Sequence, residues 1–139
     1  LEIVGLLAVE FFLTKSGDLL VNEVAPRTHN SGHQTIEGNV TSQFEQHLRA
    51  VLNLPLGDTS IIQPSVMLNI LGEPNHSGEA IYENLEKVIA MSKVHVHLYG
   101  KHHTKPYRKM GHVTITDADI NKAYDKAKEV NVLLKVLSS

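Results

Sequence analysis

Apolar positions along this chain follow two periods, one of strands and one of helices. Around a short polar loop, Lys15-Ser16-Gly17-Asp18, the flanking residues are apolar, β-branched or aromatic. That pattern predicts a β-hairpin with strands over 6–13 and 19–24. The stretch 25–33 has no apolar period and is rich in turn formers, so a loop is expected there. A helix is predicted to start at Ser42, which has capping-box spacing to Glu45 and is followed by Phe44, Leu48, Val51 and Leu52 at helical intervals. Pro55 and Gly57 stop it. A strand is expected over 66–71, then a second helix capped by Ser77 with Ile81, Leu85, Val88 and Ile89 on one stripe.

Further on, Val94, Val96 and Leu98 alternate with His95, His97 and Tyr99, the period of a strand with one buried face. A basic loop follows over 100–110. A short last strand is expected over 112–115, and a last helix capped by Thr116 or Asp117 with Ile120, Ala123, Tyr124 and Ala127 facing inward. No pattern assigns 132–139. Phe44, Leu48, Val51, Ile81, Leu85 and Val88 are expected in the core.

Composition narrows the class. The 139 residues can form one modest core, or a small core plus the remnant of another domain. Apolar content of 42% with 20% charged residues is that of a water-soluble globular chain, and no apolar run approaches the ~20 residues of a membrane helix. A formal charge of −2 gives no ground for a nucleic-acid partner or an anionic membrane. The absence of cysteine excludes disulfides, thiolate metal sites and Cys nucleophiles, and suits a reducing cytoplasm. The chain opens on apolar residues with no polar lead-in, as expected of a segment entering a domain midway.

The candidate chemistry begins in the hairpin. If Thr14 pairs with Leu19, every pair of residue numbers sums to 33, and Glu10 faces Glu23 with Cβ atoms about 5 Å apart. Two carboxylates that close repel, and the repulsion is relieved by protonation, a basic partner or a shared cation. Mg²⁺ fits, since it takes hard oxygen ligands and is often held by one or two carboxylates plus substrate phosphates. A register displaced by one residue would instead send the two side chains to opposite faces.

Longer runs carry a resemblance. Val9-Glu10-Phe11-Phe12, Val21-Asn22-Glu23-Val24-Ala25-Pro26-Arg27-Thr28-His29-Asn30-Ser31-Gly32-His33 and Ser42-Gln43-Phe44-Glu45-Gln46-His47-Leu48-Arg49-Ala50 occur in that order. Pro55-Leu56-Gly57, Val66-Met67-Leu68-Asn69-Ile70-Leu71-Gly72 and Arg108-Lys109-Met110-Gly111-His112 follow. Together these resemble the 5-(carboxyamino)imidazole ribonucleotide synthases, ATP-grasp ligases of purine biosynthesis.

The order of elements reads as α+β or α/β with a boundary at the Pro55 to Gly57 break, and the resemblance implies an α+β whole: the C-terminal half of an ATP-grasp domain over 1–57, with its antiparallel hairpin and helix, then a small α/β C-terminal domain over 58–139. It implies that Glu10 and Glu23 bind the Mg²⁺ of ATP, that Asn22 and Glu23 line the nucleotide site, and that Arg27 and His29 are catalytic. Arg27, His29, Asn30 and Ser31 would also face the 5-aminoimidazole ribonucleotide, and Lys101, Arg108 and Lys109 its phosphate. An Arg fork and Lys point charges suit a phosphate monoester. Tyr107 stands where the family usually has a small residue. Bicarbonate and ATP are the implied co-substrates, and a homodimer the implied assembly of the full-length protein. The 139 residues alone are expected to be inactive.

Two other readings compete. The formate-dependent glycinamide ribonucleotide transformylases share an acidic hairpin, but their loop has Ser-Glu before the proline and His-Asp-Thr-Gly after it, against Asn22-Glu23 and His29-Asn30-Ser31-Gly32-His33 here. From a different class, His95 and His97 on one strand face, with His102, His103 and His112 nearby, are the residues a non-enzymatic zinc- or nickel-binding module would use.

Overall fold

Strand β1 (Ala8–Leu13) runs into a tight loop and returns as β2 (Leu19–Ala25) in the computed structural model, which describes residues 2–139. The loop closes because Thr14 N–H donates to Asp18 O at 2.9 Å and Gly17 N–H to Thr14 O at 3.0 Å. Gly17 sits at φ +91°, where an L side chain is strained. Pairing from the loop side is Leu13 with Leu19, Phe12 with Leu20 and Phe11 with Val21, after which Asn22 is an extra residue and Glu10 pairs with Glu23. The hairpin therefore contains a β-bulge at Asn22.

Beyond β2, Pro26 cannot donate to a ladder. A 3-10 turn (Asn30–Gln34) and the short α1 (Thr35–Gly38) lead to α2 (Gln43–Val51). Ser42 caps α2, its hydroxyl accepting from Glu45 N–H at 3.2 Å. The Glu45 carboxylate turns to Arg49, at 2.6 Å, instead of closing a capping box. Gln46 clamps Gly57 by donating to its carbonyl at 2.8 Å and accepting from its N–H at 2.9 Å.

These elements form a first compact unit ending at Ser60; a second covers Ile61–Ser139. The second contains β3 (Ser65–Leu71), β4 (Gly78–Glu83), α3 (Leu85–Ile89), β5 (Val94–Leu98), β6 (His103–Thr104), β7 (Lys109–Thr116), α4 (Ile120–Leu133) and β8 (Lys135–Ser138). One antiparallel sheet has the order β3-β7-β5 and another β6-β4-β8. Val88, Met110, Val113, Ile115, Ala123, Val130 and Val136 make a core with no exposed surface. Full burial of a Val, Ile or Met side chain stabilises by about 1.5–3 kcal/mol, so this cluster dominates the unit.

Several expectations are corrected. The segment after Ser77 is strand β4, not a helix: Ala80 and Tyr82 pack on the core while Ile81 is exposed, and pairing with β8 overrides the helical stripe, which survives only in α3. The strand over 112–115 is the middle of β7, the central strand of its sheet, and 135–138 forms β8. The basic stretch is not all loop, since it contains β6 and the start of β7. Asp119, not Thr116 or Asp117, caps α4, accepting from Asn121 N–H at 2.9 Å. Ile120 and Tyr124 are exposed, and the inward stripe is Ala123, Ala127 and Val130. Phe44, Leu48 and Val51 are exposed too. No helix of the described residues is long and apolar enough to cross a membrane.

Candidate functional site

The bulge decides what the hairpin presents. With the loop-side register continued, Glu10 would face Asn22 and Glu23 would point to the other side of the ribbon. Insertion of Asn22 brings Glu23 opposite Glu10, and the Asn22 amide donates to Glu10 Oε2 at 3.3 Å. The expected Glu10 and Glu23 pair is present, but the uniform register and the Thr14 to Leu19 pair are not.

His29 completes the group. Its Nε2 lies 3.3 Å from Glu10 Oε1 and 3.4 Å from Glu23 Oε1, and its side chain is only 12% exposed. His29 Nδ1 and Ser31 Oγ are 2.9 Å apart. A tautomer with the proton on Nε2 donates to the carboxylates and accepts from the Ser31 hydroxyl. Among the described residues, Glu10, Glu23 and His29 are the group of three whose ligand atoms all lie within 4.8 Å of one another. Paired carboxylate oxygens are the hard donors Mg²⁺ takes, so the residues present fit that ion.

The other expected loop residues are near but differently engaged. Arg27 is exposed, its Nη1 donating to Thr28 O at 3.0 Å. Asn30 opens the 3-10 turn. Gln43, not among the expected site residues, holds the loop: its Oε1 accepts from His29 N–H at 2.9 Å and its Nε2 donates to His29 O at 2.8 Å. One glutamine at a helix start carries no sequence signal for such a role.

In the second unit, Lys101 precedes β6, Arg108 follows it and Lys109 opens β7. Lys101 Nζ donates to Lys109 O, and Arg108 Nη1 to His103 O at 3.0 Å. Residues 105–108 make a β-turn closed by Arg108 N–H on Lys105 O at 3.0 Å. Pro106 precedes Tyr107 at φ 61°, the order of a type II turn, whose third position favours glycine. Gly72 grips this turn by donating to Arg108 O at 2.9 Å and accepting from Tyr107 N–H at 2.8 Å; a Cβ there would lie 2.2 Å from Lys105 O. Tyr99 OH lies 3.0 Å from His112 Nδ1, and burial pushes its phenol pKa up. The His97 and His112 rings stack with centroids 4.5 Å apart, and among the described residues the group of three with converging ligand atoms is Glu10, Glu23 and His29, not these histidines.

The family model of the phosphoribosylaminoimidazole carboxylase C-terminal domain matches residues 65–126, and the ATP-grasp domain model matches 1–44. The N5-carboxyaminoimidazole ribonucleotide synthase of Bacillus subtilis is 51% identical over 82% of this chain and 28% of its own length. Among solved structures, the N5-carboxyaminoimidazole ribonucleotide synthetase of Thermotoga maritima superposes with a TM-score of 0.93 at 53% identity, over 98% of this chain and 38% of that one. The Aspergillus clavatus enzyme, solved in complex with ADP and 5-aminoimidazole ribonucleotide, gives 0.80 at 38% identity, over 92% of this chain and 34% of its own. The chain thus spans about a third of the length of these relatives. It belongs to the N5-carboxyaminoimidazole ribonucleotide synthase family and matches the C-terminal part of its members.

Proposed function

We propose that the full-length protein carrying this chain joins bicarbonate to 5-aminoimidazole ribonucleotide at the expense of ATP, in purine biosynthesis in the cytoplasm, as a homodimer. The observation that carries this reading is the convergence of Glu10, Glu23 and His29 in a chain about half identical to such enzymes. Residues 1–57 would supply the C-terminal part of the ATP-grasp domain and 58–139 the small domain that follows.

In the proposed reaction a bicarbonate oxygen attacks the γ-phosphorus of ATP, ADP leaves, and carboxyphosphate forms. Loss of phosphate frees carbon dioxide, which the exocyclic amine of the ribonucleotide captures as a carbamate, releasing a proton. Phosphoryl transfer depends mostly on positioning and charge neutralisation. Mg²⁺ held by Glu10 and Glu23 would neutralise the phosphates, with Asn22 beside the nucleotide. His29, a few ångströms from both carboxylates, holds or moves a proton. Arg27 offers its exposed guanidinium to the anionic intermediate. Lys101, Arg108 and Lys109 would hold the ribonucleotide's phosphate, and Asn30 and Ser31 would line the same substrate.

The test is ADP formation by the full-length protein that depends on both bicarbonate and 5-aminoimidazole ribonucleotide. Glu23→Gln is expected to abolish it. Arg108→Ala is expected to raise KM for the ribonucleotide about tenfold or more with a smaller change in kcat. ADP formation indifferent to the ribonucleotide would refute the reading, and formate dependence would favour the transformylase. The 139 residues alone are expected to show no turnover.

A further inference from the structure

The loop bearing His29 is wrapped around one carboxamide. Gln43, the first residue of α2, meets the main chain of His29 on both sides: its Oε1 accepts from His29 N–H at 2.9 Å, and its Nε2 donates to His29 O at 2.8 Å. The remaining Nε2 hydrogen reaches His33 Nδ1 at 2.8 Å, with that ring nitrogen as acceptor. Three partners of opposite demand fix which way the amide faces. A carboxylate in its place would lack both donors, and an aliphatic side chain all three bonds.

The clamp is anchored from behind. Gln43 N–H donates to Thr35 Oγ1 at 2.8 Å, and that hydroxyl donates to Gly32 O at 2.6 Å. At Gly32, a Cβ would lie 2.4 Å from Gln43 Oε1, so a side chain there would displace the amide from the clamp. The 29–33 segment is therefore held through one side chain, and the His29 ring, with Ser31 Oγ 2.9 Å from its Nδ1, reaches the carboxylates.

We infer that Gln43 is the positioning residue that sets the His29 imidazole between Glu10 and Glu23, acting through the His29 backbone and not by touching substrate. The inference rests on the role proposed above for His29. Displacing a catalytic group by about 1 Å can cost up to about a hundredfold in rate. Loss of the clamp is thus expected to lower kcat while leaving nucleotide affinity nearly unchanged. A side chain that only stabilises the fold would lower the melting temperature and leave the turnover of folded protein intact.

A double-mutant cycle in the full-length protein separates these cases. Gln43→Ala is expected to lower kcat by about ten- to a hundredfold with KM for ATP within about twofold, and to add no further loss in a His29→Ala background. Wild-type kcat in Gln43→Ala, or losses that multiply, would overturn the inference. If Gln43→Ala does not fold, Gln43→Glu keeps the length and one acceptor and takes its place in the cycle. Wild-type turnover in His29→Ala would show that the role given to His29 is at fault, and the inference would fall with it. Independently of turnover, the His29 ring resonance in histidine-labelled protein, assigned by its loss in His29→Ala, is expected to shift in the Gln43 variant. An unchanged resonance would contradict the inference whatever the activity.

Discussion

In the second unit Val88, Met110, Val113, Ile115, Val130 and Val136 have no exposed surface, whereas in the first Phe12 is 59% exposed, Leu13 72% and Leu19 67%. Among the described residues before Ile61, Ala25 is the only apolar one buried. The second unit thus has the closed core a small domain needs. In the first, a two-stranded ribbon is marginal by itself, and its apolar faces form the kind of exposed patch that usually meets another surface. What the first unit specifies closely is polar: a bulge, a capped helix and two glutamine clamps that fix Glu23, His29 and Gly57. Core burial holds one unit and hydrogen-bonded loops shape the other.

The largest consequence is for core truncation. Met110→Ala is expected to cost about 2–5 kcal/mol, while Phe12→Ala, at a side chain already exposed, is expected to cost less than about 1 kcal/mol. Urea unfolding of the purified chain measures both, and equal losses would erase the difference between the units. A smaller effect of opposite sign is expected at the turn under Arg108. Tyr107 holds a left-handed conformation at φ 61°, so Tyr107→Gly is expected to raise stability by about 1 kcal/mol. A drop in the unfolding midpoint would mean that the exposed Tyr107 ring contributes more than its backbone costs.

The smallest effect is electrostatic. Hydrogen bonds from Asp119 N–H and then from the Lys93 ammonium hold the Asp117 carboxyl below its ordinary value of 3.8. A depressed folded pKa stabilises at pH above the unfolded value, and that contribution disappears as pH falls through the lower folded value. Asp117→Asn is therefore expected to melt slightly lower than wild type at pH 7, with the gap closing once the pH drops below 3.8. A gap independent of pH would assign the effect to packing.

Much of this was legible in the residues, and the rest was hidden for definite reasons. Glycine and polar residues between apolar runs marked the hairpin, and Ser42 with Glu45 marked the α2 start, because those signals are local. The Glu10 to Glu23 pairing was expected from a uniform register that the hairpin does not have; the tighter loop and the bulge at Asn22 offset one another, and neither is visible in a two-residue period. Strand β4 reads as a helix in the sequence because Ile81, Leu85, Val88 and Ile89 share a helical stripe, and only pairing with the distant β8 turns Ala80 and Tyr82 inward. The Gln43 clamp joins residues 14 apart through a side chain and main chain, which periodicity does not record.

The most direct test of the central claim is calorimetric titration of the full-length protein with ATP, with and without Mg²⁺, in wild type, Glu10→Gln and Glu23→Gln. If the two carboxylates share the ion that carries the nucleotide's phosphates, each variant loses about tenfold or more of its Mg²⁺-dependent affinity while metal-free ATP binds as in wild type. Equal Mg²⁺-dependent affinity in all three proteins would contradict it.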